Sequence, residues 1–221
     1  MALALVATAP ARAQAPASGQ RTITVTGFGD VTAPNDAAFL TLGVSTTHRT
    51  AARALADTSA RTRRVLAALT ASGIDAEDIQ TQSVSLRRTV RRATKQRKRK
   101  VVFTASNRVS VNVRDVSKLG ALIGVAVKAG ATRVAGIELF PSNENALYRQ
   151  ALGLAYDDAR EKAELLADRA DVTLGEPISI FEGQNDFEPL LADTGGALSA
   201  APIEPGRSTI GAFVTVVFAI S

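Results

Sequence analysis

Residues 50–81 read TAARALADTSARTRRVLAALTASGIDAEDIQT, and the periodicity of this stretch decides the fold. Leu55, Thr62, Val65, Leu66 and Leu69 recur near helical spacing, while Arg53, Asp57, Arg61, Arg63 and Arg64 form a charged side. The stretch therefore predicts an amphipathic helix, with the Thr50 side chain as its N-terminal cap. Gly73 stands where a left-handed residue ends such a helix, and Ile74 supplies the apolar contact that accompanies the stop. Asp78-Ile-Gln-Thr81 then leads into a strand. Upstream, Ala38, Leu40, Leu42 and Val44 alternate with polar residues, which predicts a strand before the helix. The unit is β-α-β.

A second unit echoes the first. Val101, Phe103, Ala105, Val109, Val111 and Val113 share one face of a long strand. Asp115 is placed to cap a helix containing Leu119, Ile123 and Val127, Gly130 stops it, and Arg133–Phe140 is the next strand. Beyond Pro141 a third helix is expected from Ser142 or Asn143 to about Ala170. Its side of Tyr148, Leu152, Ala155, Ala159, Leu166 and Ala170 is suited to close packing on a sheet. Ile178–Phe181 predicts a strand, and 182–207 an irregular loop rich in Gly, Pro and Ala. Thr209–Ile220 is a strand apolar on both faces, suited to the centre of a covered sheet or to a subunit interface.

At the other end, Ile23-Thr-Val-Thr-Gly27 alternates and runs into Gly27-Phe-Gly29, where a bulge or turn is expected. The Gly-x-Gly does not continue as a dinucleotide loop, because Thr32 occupies the third glycine position and Pro34 blocks a helix start. The expected fold class is α+β: two β-α-β units plus a long third helix packed on a mixed sheet, in a single domain.

Composition narrows the chemistry. The chain has 221 residues, no Cys, one Met and one His. No apolar run approaches the ~20 residues of a membrane-spanning helix, so no transmembrane segment is expected. The apolar start followed by Ala11-Arg-Ala13 has the pattern of a signal-peptidase site. We expect a signal peptide at 1–13, a flexible N-terminus at 14–20 and the domain at 21–221. A basic region ahead of the apolar run is missing, which leaves room for a start upstream of Met1. Cleavage would remove Met1 and leave no sulfur, so disulfides and thiol or thioether redox roles drop out.

His48, expected at the surface, cannot alone build a histidine-based triad or a multi-histidine metal site. The carboxylate pairs Asp157/Asp158 and Glu161/Glu164 read as a solvated helix face. No catalytic, cofactor-binding or metal-binding residue emerges, no cofactor is called for, and enzymatic function is not expected.

One feature carries the basic charge. Arg87, Arg88, Arg91, Arg92, Lys95, Arg97, Lys98, Arg99 and Lys100 crowd one stretch without an acid. Without them the 21 acidic residues outnumber the remaining basic ones. Self-repulsion predicts an exposed hairpin tip, either solvated or able to bind an anionic surface such as lipopolysaccharide or acidic lipid. Nucleic acid is not an expected partner, because export separates the two and the run lacks aromatics that stack on bases.

In order along the chain stand Ile23-Thr-Val-Thr-Gly27-x-Gly29, Leu55 with Leu69 through Ser72-Gly-Ile74, and Asp78-Ile-Gln-Thr81. Ala105-Ser-Asn107 with Val109-x-Val111, Arg114-Asp115, Leu119-Gly120 and Gly130-Ala131 with Gly136-Ile137 follow. The series closes with Ala151, Ala155, Ala159, Lys162-Ala163, Leu166-Ala167, Leu174-Gly175 and Pro202-Ile-x-Pro-Gly206. This order resembles the SIMPL-domain family from about Arg21 to Ile220. It departs in placing Pro34 one position early, before Asn35-Asp36, in Phe103 for a usual Tyr, and in Asp171 for a usual Gly.

The resemblance implies a periplasmic protein associated with defence against oxidative stress, able to meet the outer membrane and to self-assemble. It transfers no catalytic residue. In a sulfur-free chain such protection is expected to be indirect, through binding, assembly or envelope integrity. The two-sided last strand and the small-residue third helix point to a homo-oligomer.

Overall fold

The computed structural model describes residues 21–91, 100–183 and 204–221. The expected leader, the flexible N-terminus, the centre of the basic run and most of the 182–207 loop lie outside them. The described elements run β1 (Thr22–Pro34), β2 (Ala37–His48), α1 (Ala51–Ala71), β3 (Ile79–Arg91), β4 (Lys100–Val113), α2 (Leu119–Ala129), β5 (Arg133–Phe140), α3 (Glu144–Arg169), β6 (Leu174–Gly183) and β7 (Arg207–Ile220).

The class is α+β, with the strands divided between two sheets of order β3-β4-β2-β5 and β1-β7-β6. The pairs β2–β4, β2–β5, β3–β4 and β6–β7 are all antiparallel. Both β-α-β units are present, but each is split: β4 lies between β2 and β3, and β2 lies between β4 and β5. Interleaving makes every neighbour antiparallel although each helix still links two parallel strands, which is the ferredoxin-like arrangement. The described residues gather into two compact units, 31–91 with 100–147 and 204–210, and 21–30 with 148–183 and 211–221.

In the first unit α1 and α2 cover one face of the four-stranded sheet. Leu40, Leu42, Val44, Val109, Val111 and Val113 form the core with Val65, Leu69, Leu119, Leu122 and Ala126. The Thr50 oxygen accepts the Arg53 N–H, Gly73 is left-handed, and the Ile74 N–H returns to the Leu69 carbonyl over a buried side chain. The expected stop is thus present. The buried face of α1 is Ala54, Thr58, Thr62, Val65 and Leu69, whereas Leu55 is exposed. Threonines survive there because their hydroxyls are satisfied. Thr58 bonds to Thr46 and the Ala105 carbonyl, and Thr62 to the Thr58 carbonyl. On α2 the buried face is Leu119, Leu122 and Ala126, and Val127 is exposed. Asp115 caps the single 3-10 turn that precedes this helix, accepting from the Ser117 N–H.

Asp36 ties the start of β2 to the turn after β5. Its carboxylate accepts the Ser142 N–H at 2.6 Å and the Ser142 hydroxyl at 2.8 Å. The backbone bond first, then the hydroxyl, holds the carboxyl below the usual aspartate range against an opposing effect of burial. A depressed folded value means the contribution is complete above the unfolded value and is lost as pH falls through the folded one. Asp36→Asn is therefore expected to flatten the pH dependence of the unfolding midpoint below about pH 4. Parallel midpoint curves for the two proteins would contradict this.

In the second unit α3 lies on the three-stranded sheet. Val25, Val214, Val216 and Phe218 pack against Ala155, Ala159 and Ala163. The buried stripe of α3 within the unit is Ala151, Ala155, Ala159, Ala163 and Ala167, a strict four-residue repeat, while Leu166 is exposed. Gly27 and Gly29 do not make a bulge or turn: β1 runs through them, and their missing side chains admit the α3 backbone at Ala155/Ala159 and Ala151/Ala155. The α3 exit places Asp171, which stands for a usual family glycine, in the left-handed region, which Asp tolerates better than most residues. β7 is the central strand of this sheet. Its Ala212, Val214, Val216 and Phe218 are buried, and the alternate residues Phe213, Thr215, Val217 and Ala219 are half-exposed.

Candidate functional site

The basic run begins on β3, an edge strand of the four-stranded sheet. The pairing Ile79↔Val111 to Arg91↔Lys100 joins β3 and β4 as antiparallel neighbours up to the start of the residues outside the description. Arg87 and Arg88 are exposed on β3, Lys100 is exposed on β4, and Arg91 stands opposite Lys100 in register. Arg92, Lys95, Arg97, Lys98 and Arg99 lie outside the described residues. From Gln80 to Thr89 every β3 residue is exposed, including Val84 at 64% and Leu86 at 43%. Both faces of this edge are therefore open.

The other sheet manages one of its edges with side chains. On β1 the Phe28 N–H donates to Asp158 at 2.8 Å, and the Thr26 carbonyl accepts from Lys162 at 3.1 Å. Asp158 and Lys162 are themselves paired at 2.6 Å, and Lys162 lies 5.1 Å from the Phe28 ring centroid. Lys162 foremost, then the Phe28 amide, lowers the Asp158 carboxyl below its ordinary value. Asp158, expected to be one of a solvated pair, instead joins Lys162 in occupying backbone groups that would otherwise template another strand. The opposite edge strand, β6, exposes Ile178, Ile180 and Phe181. His48 also has a partner, with its Nε2 3.0 Å from Asp57, itself 3.4 Å from Arg61.

A further group of residues escaped the sequence reading. The face of the four-stranded sheet opposite α1 and α2 carries Ser45, Ser106 and Ser85 in one cross-strand row and Gly43, Arg108 and Ser83 in the next. Arg133 of β5 pairs with Gly43 from the other side. Together they line a depression of about 180 Å3. The Ser45 and Ser106 hydroxyls are 3.0 Å apart, and Thr132 accepts the Ser45 N–H at 2.9 Å. The signal was present as alternation on β2 and β4, since Gly43, Ser45, Ser106 and Arg108 each neighbour a core residue on their strand. Their convergence needed the interleaved topology.

A family model for SIMPL, described as a protein of unknown function (DUF541), matches residues 23–218. The chain belongs to the SIMPL family. Two similar proteins are 26 kDa periplasmic immunogenic proteins of Brucella melitensis biotype 1 and Brucella abortus. Each is 28% identical over 212 residues, covering 90% of this chain and 84% of the relative. A third similar protein is the uncharacterized protein YggE of Edwardsiella ictaluri, 26% identical over 167 residues, covering 76% of this chain and 70% of that one. The match spans the elements of both compact units, from β1 to β7. No helix among the described residues is long and apolar enough to cross a membrane.

Proposed function

We propose that this SIMPL protein is an exported, non-enzymatic protein of the periplasm that supports resistance to oxidants indirectly, by assembling with copies of itself at the cell envelope. The observation that carries the reading is β3. A long edge strand, open on both faces and bearing Val84 and Leu86, is a template for strand addition. The guarded edge of β1 sharpens the contrast, because there the same hazard is blocked. Composition supports an indirect route. With no Cys and Met1 its one sulfur residue, the chain from Gln14 would have no side chain that scavenges oxidants by the usual sulfur chemistry. The periplasmic relatives support the compartment. The small-residue stripe of α3 no longer argues for self-association, since it packs inside its own unit.

Size-exclusion chromatography with light scattering on the chain from Gln14 tests the assembly. The expected result is a species larger than one chain, reduced to monomer by Val84→Lys with Leu86→Lys. A monomer at every concentration would overturn the reading.

A second reading, adhesion to an anionic envelope surface, is favoured by one observation. Arg87, Arg88 and Lys100 are all exposed near the end of the β3–β4 pairing, a concentration of one sign of charge that an anionic surface would neutralise. Arg87, Arg88 and Lys100 form no ion pair among the described residues.

A further inference from the structure

We propose that the depression on the hydroxyl-bearing face of the four-stranded sheet is a binding site for a phosphate group, carried by a small molecule or by a lipid headgroup. It is separate from the hairpin tip and does not depend on the assembly reading.

Arg108 and Arg133 flank Gly43 from β4 and β5 and line the same depression, and neither forms an ion pair among the described residues. Two arginines on either side of one glycine, with no acid paired to either among the described residues, bring uncompensated positive charge to this face. The acids at the near end of the sheet are already engaged. Asp78 pairs with Arg114 at 2.8 Å and accepts from Asn112, and Glu77 pairs with Arg114 at 2.7 Å.

Gly43 sets the geometry. A side-chain carbon there would lie 3.2 Å from the Arg133 Cβ and 3.9 Å from its Cγ and Cδ, so the glycine lets the Arg133 stem lie low across β2. Ser83 and Ser85 make no side-chain hydrogen bond among the described residues, and the proton between Ser45 and Ser106 can point either way. A planar carboxylate is satisfied by a single arginine fork. Two forks from neighbouring strands, with hydroxyls beside them, instead match a group with three or four oxygens spread over a tetrahedron. Each guanidinium offers paired donors, and each serine adds one without adding charge.

The test titrates inorganic phosphate into the chain from Gln14 in a chloride background, read by calorimetry and by phosphorus NMR line width. Saturable binding is expected. Arg108→Gln and Arg133→Gln should each weaken it by about tenfold, the scale of one lost charge-assisted bond, and the pair together should remove it. Arg133→Lys keeps the charge without the fork and should fall between. Unfolding midpoints matching the parent separate a site effect from a folding effect. Arg88→Gln with Lys100→Gln, at the hairpin, should leave phosphate binding unchanged.

Vesicles distinguish the source. A headgroup ligand predicts preference for phosphatidic acid over phosphatidylglycerol, dependent on Arg108 and Arg133 and displaced by inorganic phosphate. A soluble ligand predicts phosphate binding with no such preference. The proposal is overturned if neither phosphate nor phosphatidic acid binding depends on the two arginines, or if phosphate binding follows the hairpin charges instead.

Discussion

Replacing Gly27 by alanine is expected to lower the thermal unfolding midpoint by about 10 °C, on the scale of 2–4 °C per kcal/mol for chains of this size. A Cβ at this position would fall inside the carbonyl oxygen of Ala155 and the amide nitrogen of Ala159, and 2.8 Å from the Ala159 Cβ. These obstacles are mostly backbone, so no rotamer change relieves them. Overpacking commonly costs about 1–3 kcal/mol, and backbone obstacles put this case at the upper end or beyond. The gain from removing glycine's conformational freedom within a strand, roughly 0.5–1 kcal/mol, has the opposite sign but is smaller.

Gly153 on α3 supplies the contrast. Nothing lies within 4 Å of a Cβ built there, so Gly153→Ala should stabilise by about 0.8–1 kcal/mol through helix propensity alone. Circular dichroism melts of the two variants test the argument. A neutral Gly27→Ala would mean that α3 can lift from β1 at little cost, and that the alanine stripe is not the constraint claimed for it.

The same contact marks the limit of what the sequence disclosed. Signals complete within a few residues were legible: the Thr50 cap, the Gly73 and Gly130 stops and the bounds of β5. Which face of a helix turns inward was less so. On α1 the choice fell to Thr58 over Leu55 because two strands present partners for the Thr58 hydroxyl, a fact written elsewhere in the chain. The Gly27 and Gly29 pair suggested a bend. Its actual role depends on a helix whose closest residues lie more than a hundred positions away. The phosphate-site candidates were hidden for the same reason, since a serine or arginine alternating with core residues reads locally as a solvated face. Only the split arrangement of strands places Ser45, Ser85, Ser106, Arg108 and Arg133 side by side.

Neutralising Arg87, Arg88 and Lys100 together to Gln is expected to weaken association with anionic vesicles by about a hundredfold. The figure follows from roughly 1 kcal/mol per basic residue close to an acidic lipid surface, summed over three. All three side chains are exposed, so no packing is lost with the charge. Binding of the parent chain should also fall as salt rises, because the Debye length shrinks from about 30 Å at 0.01 M to about 10 Å at 0.1 M. Sedimentation with phosphatidylglycerol vesicles, and with neutral phosphatidylcholine vesicles as reference, measures both effects. Equal binding of parent and variant, or binding indifferent to salt, would remove the hairpin from consideration as an adhesive surface. A loss that appears in Arg108→Gln with Arg133→Gln but not in the hairpin variant would move the contact to the sheet face. The outcome thus separates a diffuse electrostatic surface, where any three exposed cations count alike, from a site where two particular arginines and their hydroxyl neighbours decide the affinity.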